Sequence, residues 1–340
     1  MPTASLAFAG AGWITAVHGM AAAATPGVEV VRVASRSPGA AARRTAQTGG
    51  ASCPYEDLPG GADVVVVATP PALHRREAER AVGGGAFALV ETPLAATLAD
   101  ADAIVALAER GPVAYGENLA HSPAVADAVQ ACRRIGDLTH LEVGFVQGRP
   151  DRDADRLHGG WGGGALFDLG VHALAVALLM AAPARVASVE AEVLAGEGLD
   201  VDDETTVTLA FDSGLRARVR ASWRAAAPFW DAQAASATSA VRLELVPEPG
   251  VELNGVPLRL PEAPPDLPTD QLHHLGYLAQ LAAVAADAEA RRAPRVGPAL
   301  GRLLLEVVCA AYVSAHTGQP EAVPFTGPRD RTPHELWRGA

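Results

Sequence analysis

Over the first third of the chain, short uninterrupted apolar runs alternate with Ala-rich stretches. The runs occupy 5–10, 28–35, 62–70, 86–93 and 111–118, and the Ala-rich stretches 13–24, 38–48, 73–84 and 97–110. A strand that is apolar on both faces is covered on both faces. Alternation with helices therefore predicts a parallel sheet between two helical layers.

The pattern changes near residue 119. A helix over 122–135 leads into a strand at 138–149, and a Gly-rich loop precedes a second helix at 164–181. Apolar and polar residues then alternate along 185–195, 203–212, 214–225 and 239–247, with "FDSGL" joining two of these as a hairpin. Such strands predict an antiparallel sheet with one face on helices and the other open to a partner subunit. A Pro-rich connector, 260–270, leads to helices at 270–290 and 297–317. The expected organisation is an α/β chain without internal repeats. Residues 1–118 form a dinucleotide-binding Rossmann domain. Residues 119–340 form a domain for substrate binding and oligomerisation, whose last helices pack back toward the first.

Composition narrows the partners. The chain has 340 residues, a formal charge of −12 and 49% hydrophobic residues. An acidic chain is a poor ligand for nucleic acid. The longest apolar stretch, 173–184, is too short to span a bilayer, which argues against a membrane protein. Cys53, Cys132 and Cys309 are scattered and give neither a metal spacing nor a disulfide framework, so a cytoplasmic location is expected. The first residues carry no basic run, so no signal peptide is expected. All 27 basic residues counted as Lys+Arg are arginine.

"FAGAGWIT" places Gly10 and Gly12 directly after the first strand and before a helix. Glycines there let the backbone approach a pyrophosphate, whose charge faces the helix N-terminus, and Trp13 and Ile14 open that helix. Thr15 stands where a third glycine would allow close helix–strand packing. At the end of the second strand, an acidic residue would take the ribose 2′-hydroxyl of NAD. The chain has Ser35, Arg36 and Ser37 instead. A hydroxyl and a guanidinium suit a 2′-phosphate, so NADP(H) is expected over NAD(H).

In order and spacing these pieces resemble the Gfo/Idh/MocA oxidoreductases, over most of the chain. "GAGWITAVH" is similar to the family's Gly-rich turn with a trailing histidine, His18. "ATPPALH", with Thr69, Pro70 and His74, is similar to the segment that borders the nicotinamide. "VETPLA" is similar to the Glu-Lys-Pro segment, and "GGGALFDLGVH" to the motif with the active-site aspartate and histidine, here Asp168 and His172. The resemblance implies a Rossmann domain, a second domain with an open antiparallel sheet, and a homodimer or homotetramer through that sheet. It also implies a small-molecule substrate such as a sugar or polyol, with Glu91 by the nicotinamide ribose. Asn118 ends the fifth strand, where a parallel sheet binds its ligands, and is expected at the cofactor.

Two positions depart from the family: its lysine is Thr92 here, and an aspartate common three residues after the histidine is Ala175. A threonine does not ionise usefully and can only donate a neutral hydrogen bond or relay a proton through water. Three readings follow. His172, tuned by Asp168, is the acid for a keto sugar, with Thr92 and Tyr115 assisting. Alternatively, the substrate is an imine or activated alkene that needs little acid. The third reading is a cofactor-binding protein without net redox turnover, acting through transient redox chemistry or as a regulator. His121 is a second possible donor. Arg149, Arg152 and Arg156 are expected in a solvated loop or against an anionic substrate.

Overall fold

The computed structural model describes residues 4–151 and 155–339. Arg152 lies outside the described residues. In chain order the strands and helices of the first half are β1 (Ala4–Ala9), α1 (Trp13–Ala24), β2 (Val28–Ala34), α2 (Pro38–Thr48), β3 (Ala51–Cys53), β4 (Val64–Val67), α3 (His74–Gly83), β5 (Phe87–Val90), α4 (Leu98–Leu107) and β6 (Val113–Tyr115). They are followed by α5 (Pro123–Ile135), β7 (His140–Gly148), a π-helical turn (Leu166–Gly170), α6 (Val171–Ala181), β8 (Val186–Leu194), β9 (Glu204–Phe211), β10 (Arg216–Ser222), β11 (Arg224–Ala235) and β12 (Ala240–Val246). The last elements are β13 (Gly250–Leu253), β14 (Val256–Pro257), α7 (Gln271–His274), α8 (Tyr277–Ala290), α9 (Pro298–Thr317), β15 (Glu321–Ala322) and α10 (Pro333–Arg338).

The chain divides into two compact units. The first contains residues 1–95, 99–121 and 263–302. Its parallel sheet has the order β3-β2-β1-β4-β5-β6, a Rossmann arrangement. Val64, Val65, Val66 and Val67 are all buried, as strands covered on both faces require. Leu272, Leu281 and Val284 join the same buried cluster as Leu6, Phe8, Val33 and Leu89. Residues 263–302, far along the chain, thus belong to the first unit together with residues 1–95 and 99–121. The helix expected over 270–290 is interrupted at Gly276, whose φ of +86° is left-handed and favours glycine.

The second unit contains residues 96–98, 122–262 and 303–340. Its sheet has nine strands in the order β14-β13-β12-β11-β7-β10-β9-β8-β15, antiparallel except where β7 pairs with β10. Burial alternates along β9, β10 and β12. One face carries α5 and α6. The other carries charged cross-strand pairs such as Arg220–Glu204 at 2.7 Å.

Two segments, Gly159–Ala181 and Pro298–Thr317, are long and apolar enough to cross a membrane, which corrects the length argument made from 173–184. Most of the apolar window of each is buried, as it also is in core helices of proteins that cross no membrane.

Candidate active site

The first unit builds a dinucleotide cradle. Gly10 has φ +127°, and a Cβ there would lie 2.3 Å from the Ala68 carbonyl oxygen. Only glycine lets β1 turn this close to β4. A Cβ on Gly12 would meet nothing within 4 Å. Gly12 caps α1 without a side-chain hydrogen bond, and the first turn of α1 has no acidic residue. The N-terminal donors of α1 are thus left to an anion. Thr15 does not merely crowd this turn: its hydroxyl donates to the Gly10 carbonyl at 3.1 Å. Trp13 is 71% exposed beside it, and Ile14 is half-buried. At the end of β4, the buried Thr69 hydroxyl has no partner among the described residues, and Pro70 is half-buried next to it. The open glycine, the uncapped helix and the orphaned hydroxyl all fit a nicotinamide dinucleotide.

Sequence reasoning missed Arg44, on α2. Its guanidinium donates to the Gly12 carbonyl at 2.7 Å, to Ala11 at 3.4 Å and to Gln47 at 2.6 Å. Burial and neighbouring Arg43 weaken its hold on the proton. An arginine in an Ala-rich helix gives no sign in the sequence of the turn it supports. At the end of β2, the Ser35 hydroxyl accepts from the Ser37 N–H at 3.2 Å, and Ser37 caps α2 through the Ala40 N–H at 3.3 Å. Arg36 is exposed and makes no salt bridge among the described residues.

Behind the cradle lies a buried polar cluster. His18 Nε2 and Glu91 Oε1 are 2.5 Å apart, with His18 0% exposed. The other Glu91 oxygen accepts from the Thr92 N–H at 3.2 Å. Glu91 is thus engaged by α1 and by its own chain neighbour. Tyr115 is 1% exposed, and its hydroxyl has no partner among the described residues. Burial, then the charges of Glu117 and Glu91, hold its proton on well above the usual tyrosine range. Tyr115 is therefore an unsuitable acid.

Two residues expected at the cofactor have other tasks in the structure. The ring nitrogens of His74 face the carbonyl oxygens of Thr69 at 2.7 Å and Leu94 at 3.2 Å, and the residue is 1% exposed. It ties two loops together, and burial lowers its affinity for a proton. The Asn118 amide donates to Leu275 at 2.8 Å and holds the end of β6 to α7. His121 also makes a poor donor. Burial and Arg295, opposed by Asp287, bring its pKa down to about 4.

The second unit carries Asp168 and His172. Asp168 sits in the π-helical turn, and His172 in the first turn of α6. The four-residue spacing therefore crosses a change of helix type and is not a single α-helical face. Arg156 Nη1 is 3.5 Å from Asp168 Oδ1. Burial raises the Asp168 pKa; Arg156 and His172 pull it down, and Asp202 pushes it up. Arg149 is paired with buried Asp203 at 2.7 Å. Both arginines are substantially exposed, and each has a carboxylate partner. Among the described residues no group of His, Cys, Asp or Glu could hold a metal ion.

Residues 4–119 match the family described as an oxidoreductase family with an NAD-binding Rossmann fold, and residues 125–246 match the GFO/IDH/MocA C-terminal domain. The chain is 36% identical over 221 residues to dTDP-3,4-didehydro-2,6-dideoxy-α-D-glucose 3-reductase of Streptomyces violaceoruber, covering 59% of this chain and 64% of that protein. The enzyme of the same description from Streptomyces antibioticus is 33% identical over 174 residues, covering 47% and 51%. The matched part thus spans less than two thirds of these curated relatives. Among solved structures, GenD2 from gentamicin A biosynthesis, in complex with NAD, superposes with a TM-score of 0.82 at 24% identity, covering 94% of this chain and 96% of that one. That likeness is one of fold.

Proposed function

The chain belongs to the GFO/IDH/MocA family of NAD(P)-dependent oxidoreductases, and from that premise we propose that it reduces a keto sugar with NADPH, using His172 as the principal acid. The observation that carries this reading is the uncapped N-terminus of α1 behind the open Gly12 position. Gly10, Gly12, Trp13 and Ile14 would hold the pyrophosphate side, with Arg44 bracing the turn from behind. Ser35 and Arg36 would take a 2′-phosphate, which no carboxylate there repels. When bound, the dinucleotide supplies the hydride.

The remaining work falls to side chains. Reduction of a carbonyl leaves charge on its oxygen, and a positioned acid there contributes roughly 10²–10⁴-fold, or about 3–5 kcal/mol. Thr92 can offer only a neutral hydrogen bond. His172 can give a proton, and it lies close enough to Asp168 for their charges to interact. Similarity to dTDP-keto-sugar 3-reductases supports a nucleotide-linked keto sugar as the substrate class.

Thr92 favours a second reading, in which an imine or activated alkene is reduced. The assay follows NADPH oxidation with dTDP-3,4-didehydro-2,6-dideoxy-α-D-glucose and, separately, with a cyclic imine. The first reading predicts turnover of the keto sugar, raised by Thr92→Lys. Turnover of the imine alone, unaffected by Thr92→Lys, favours the second. Tight NADPH binding with no oxidation by either substrate class would leave a cofactor-binding protein without net turnover.

A further inference from the structure

Asp202 lies just before β9, in an acidic pair that the sequence does not mark as functional. It is 0% exposed, and four donors converge on its carboxylate. Oδ1 accepts from the Gly164 N–H at 3.0 Å and from the Tyr312 hydroxyl. Oδ2 accepts from the Leu166 N–H at 2.9 Å and from the Thr205 hydroxyl at 2.9 Å. The Asp202 carbonyl accepts from the Ala165 N–H at 2.9 Å. Tyr312, from α9, also accepts from the Gly164 N–H at 3.2 Å. A Cβ on Gly164 would lie 2.0 Å from the Asp202 carbonyl oxygen, so glycine is required for this approach.

The backbone of residues 164–166 is therefore gathered onto one buried carboxylate. Asp168 follows two residues later, and the π-helical turn passes directly into α6 and His172. Ordinary helix capping uses a local side chain. Here the anchors come from 38 and 148 residues further along the chain. A buried charge is tolerated only when it is hydrogen-bonded; burial raises the Asp202 pKa, and the four donors oppose that rise. The groups facing Asp168 are Arg156 from the preceding turn, His172 from α6, and Asp202 from the loop between β8 and β9.

We propose that Asp202, buttressed by Tyr312, is the positioning residue of the catalytic segment, fixing residues 164–166 and through them the bearing of Asp168 and His172. The proposal rests on the assignment of His172 as the acid. Small displacements of a catalytic group lower rates steeply, by about 10²-fold for 1 Å.

The test compares Asp202→Asn and Tyr312→Phe with the wild-type protein, using NADPH and dTDP-3,4-didehydro-2,6-dideoxy-α-D-glucose, with folding checked by circular dichroism. Asp202→Asn is expected to lower kcat by about tenfold or more and to leave NADPH affinity within about twofold. It also removes a negative charge near Asp168, so the acid limb of the kcat profile moves to lower pH. Tyr312→Phe leaves the carboxylate in place and removes one of its donors, and it is expected to lower kcat by about threefold or more. Folded variants with wild-type kcat and an unmoved limb would overturn the proposal. If Asp202→Asn does not fold, Tyr312→Phe decides alone, and wild-type kcat overturns it. His172→Gln tests the premise separately. Retained turnover there removes the premise, whereas a dead His172→Gln beside silent Asp202 and Tyr312 variants removes only the positioning role.

Discussion

At the scale of single residues, chemistry and position part company at several sites. Thr15, where a glycine would ease packing, makes a hydrogen bond to Gly10 instead. His74 lies in a segment similar to the family's and Asn118 follows the strand end at β6, yet both ring nitrogens of His74 and the Asn118 Nδ2 face backbone carbonyls. A sequence names the residue type at such a position but not the partner its side chain finds, since that partner comes from a distant loop. Arg36 is the residue with the clearest consequence. It is exposed and without an ion pair among the described residues, so a 2′-phosphate would meet it at little desolvation cost. A charge-assisted hydrogen bond is worth about 1.5–3 kcal/mol. Arg36→Ala is expected to weaken NADPH binding by about 10–100-fold and to leave NADH binding nearly unchanged. Fluorescence titration with both cofactors reads this directly, and equal losses for the two would remove the 2′-phosphate assignment.

At the scale of elements, periodicity carried most of the fold. The valine run of β4 and the alternation in β9 and β10 were both plain, because burial on two faces or one leaves a distinct pattern. Other elements gave weaker signals. β3 is three residues long, and β11 reads "RAAAPFWDAQAA", where alanine and proline hide a strand. The π-helical turn before α6 leaves no compositional trace and is set by the contacts of Asp202. The short segment after β6 carries a testable electrostatic load. His121 has a folded pKa of about 4 against an ordinary 6.5, because burial and Arg295 disfavour its charge. The folded state therefore binds this proton less readily than the unfolded state does. Its contribution is complete above about pH 6.5 and is lost as pH falls toward 4, by about 2–3 kcal/mol. Thermal melts across that window should show a steeper acid decline for wild type than for His121→Asn. Parallel declines would remove His121 as a cause.

At the scale of the whole molecule, the chain is discontinuous in space: residues 263–302 complete the core begun by residues 1–95 and 99–121. The sequence pattern pointed to last helices that pack back toward the first domain, but their Ala/Leu-rich composition could not say where the return begins or ends. The two units were nevertheless legible as types, because one has buried parallel strands and the other half-buried alternating ones. Each unit carries a separate part of the chemistry. The first offers an anion-ready helix end, and the second a carboxylate beside a histidine.

The central claim joins these parts into one reaction, with His172 giving the proton that a threonine at position 92 cannot. The most direct measurement is the kcat of His172→Gln for NADPH-dependent reduction of dTDP-3,4-didehydro-2,6-dideoxy-α-D-glucose, with NADPH affinity measured on the same sample. The expected result is a loss of about 10²-fold or more in kcat with NADPH binding preserved. A His172→Gln enzyme that turns over at the wild-type rate would contradict the account.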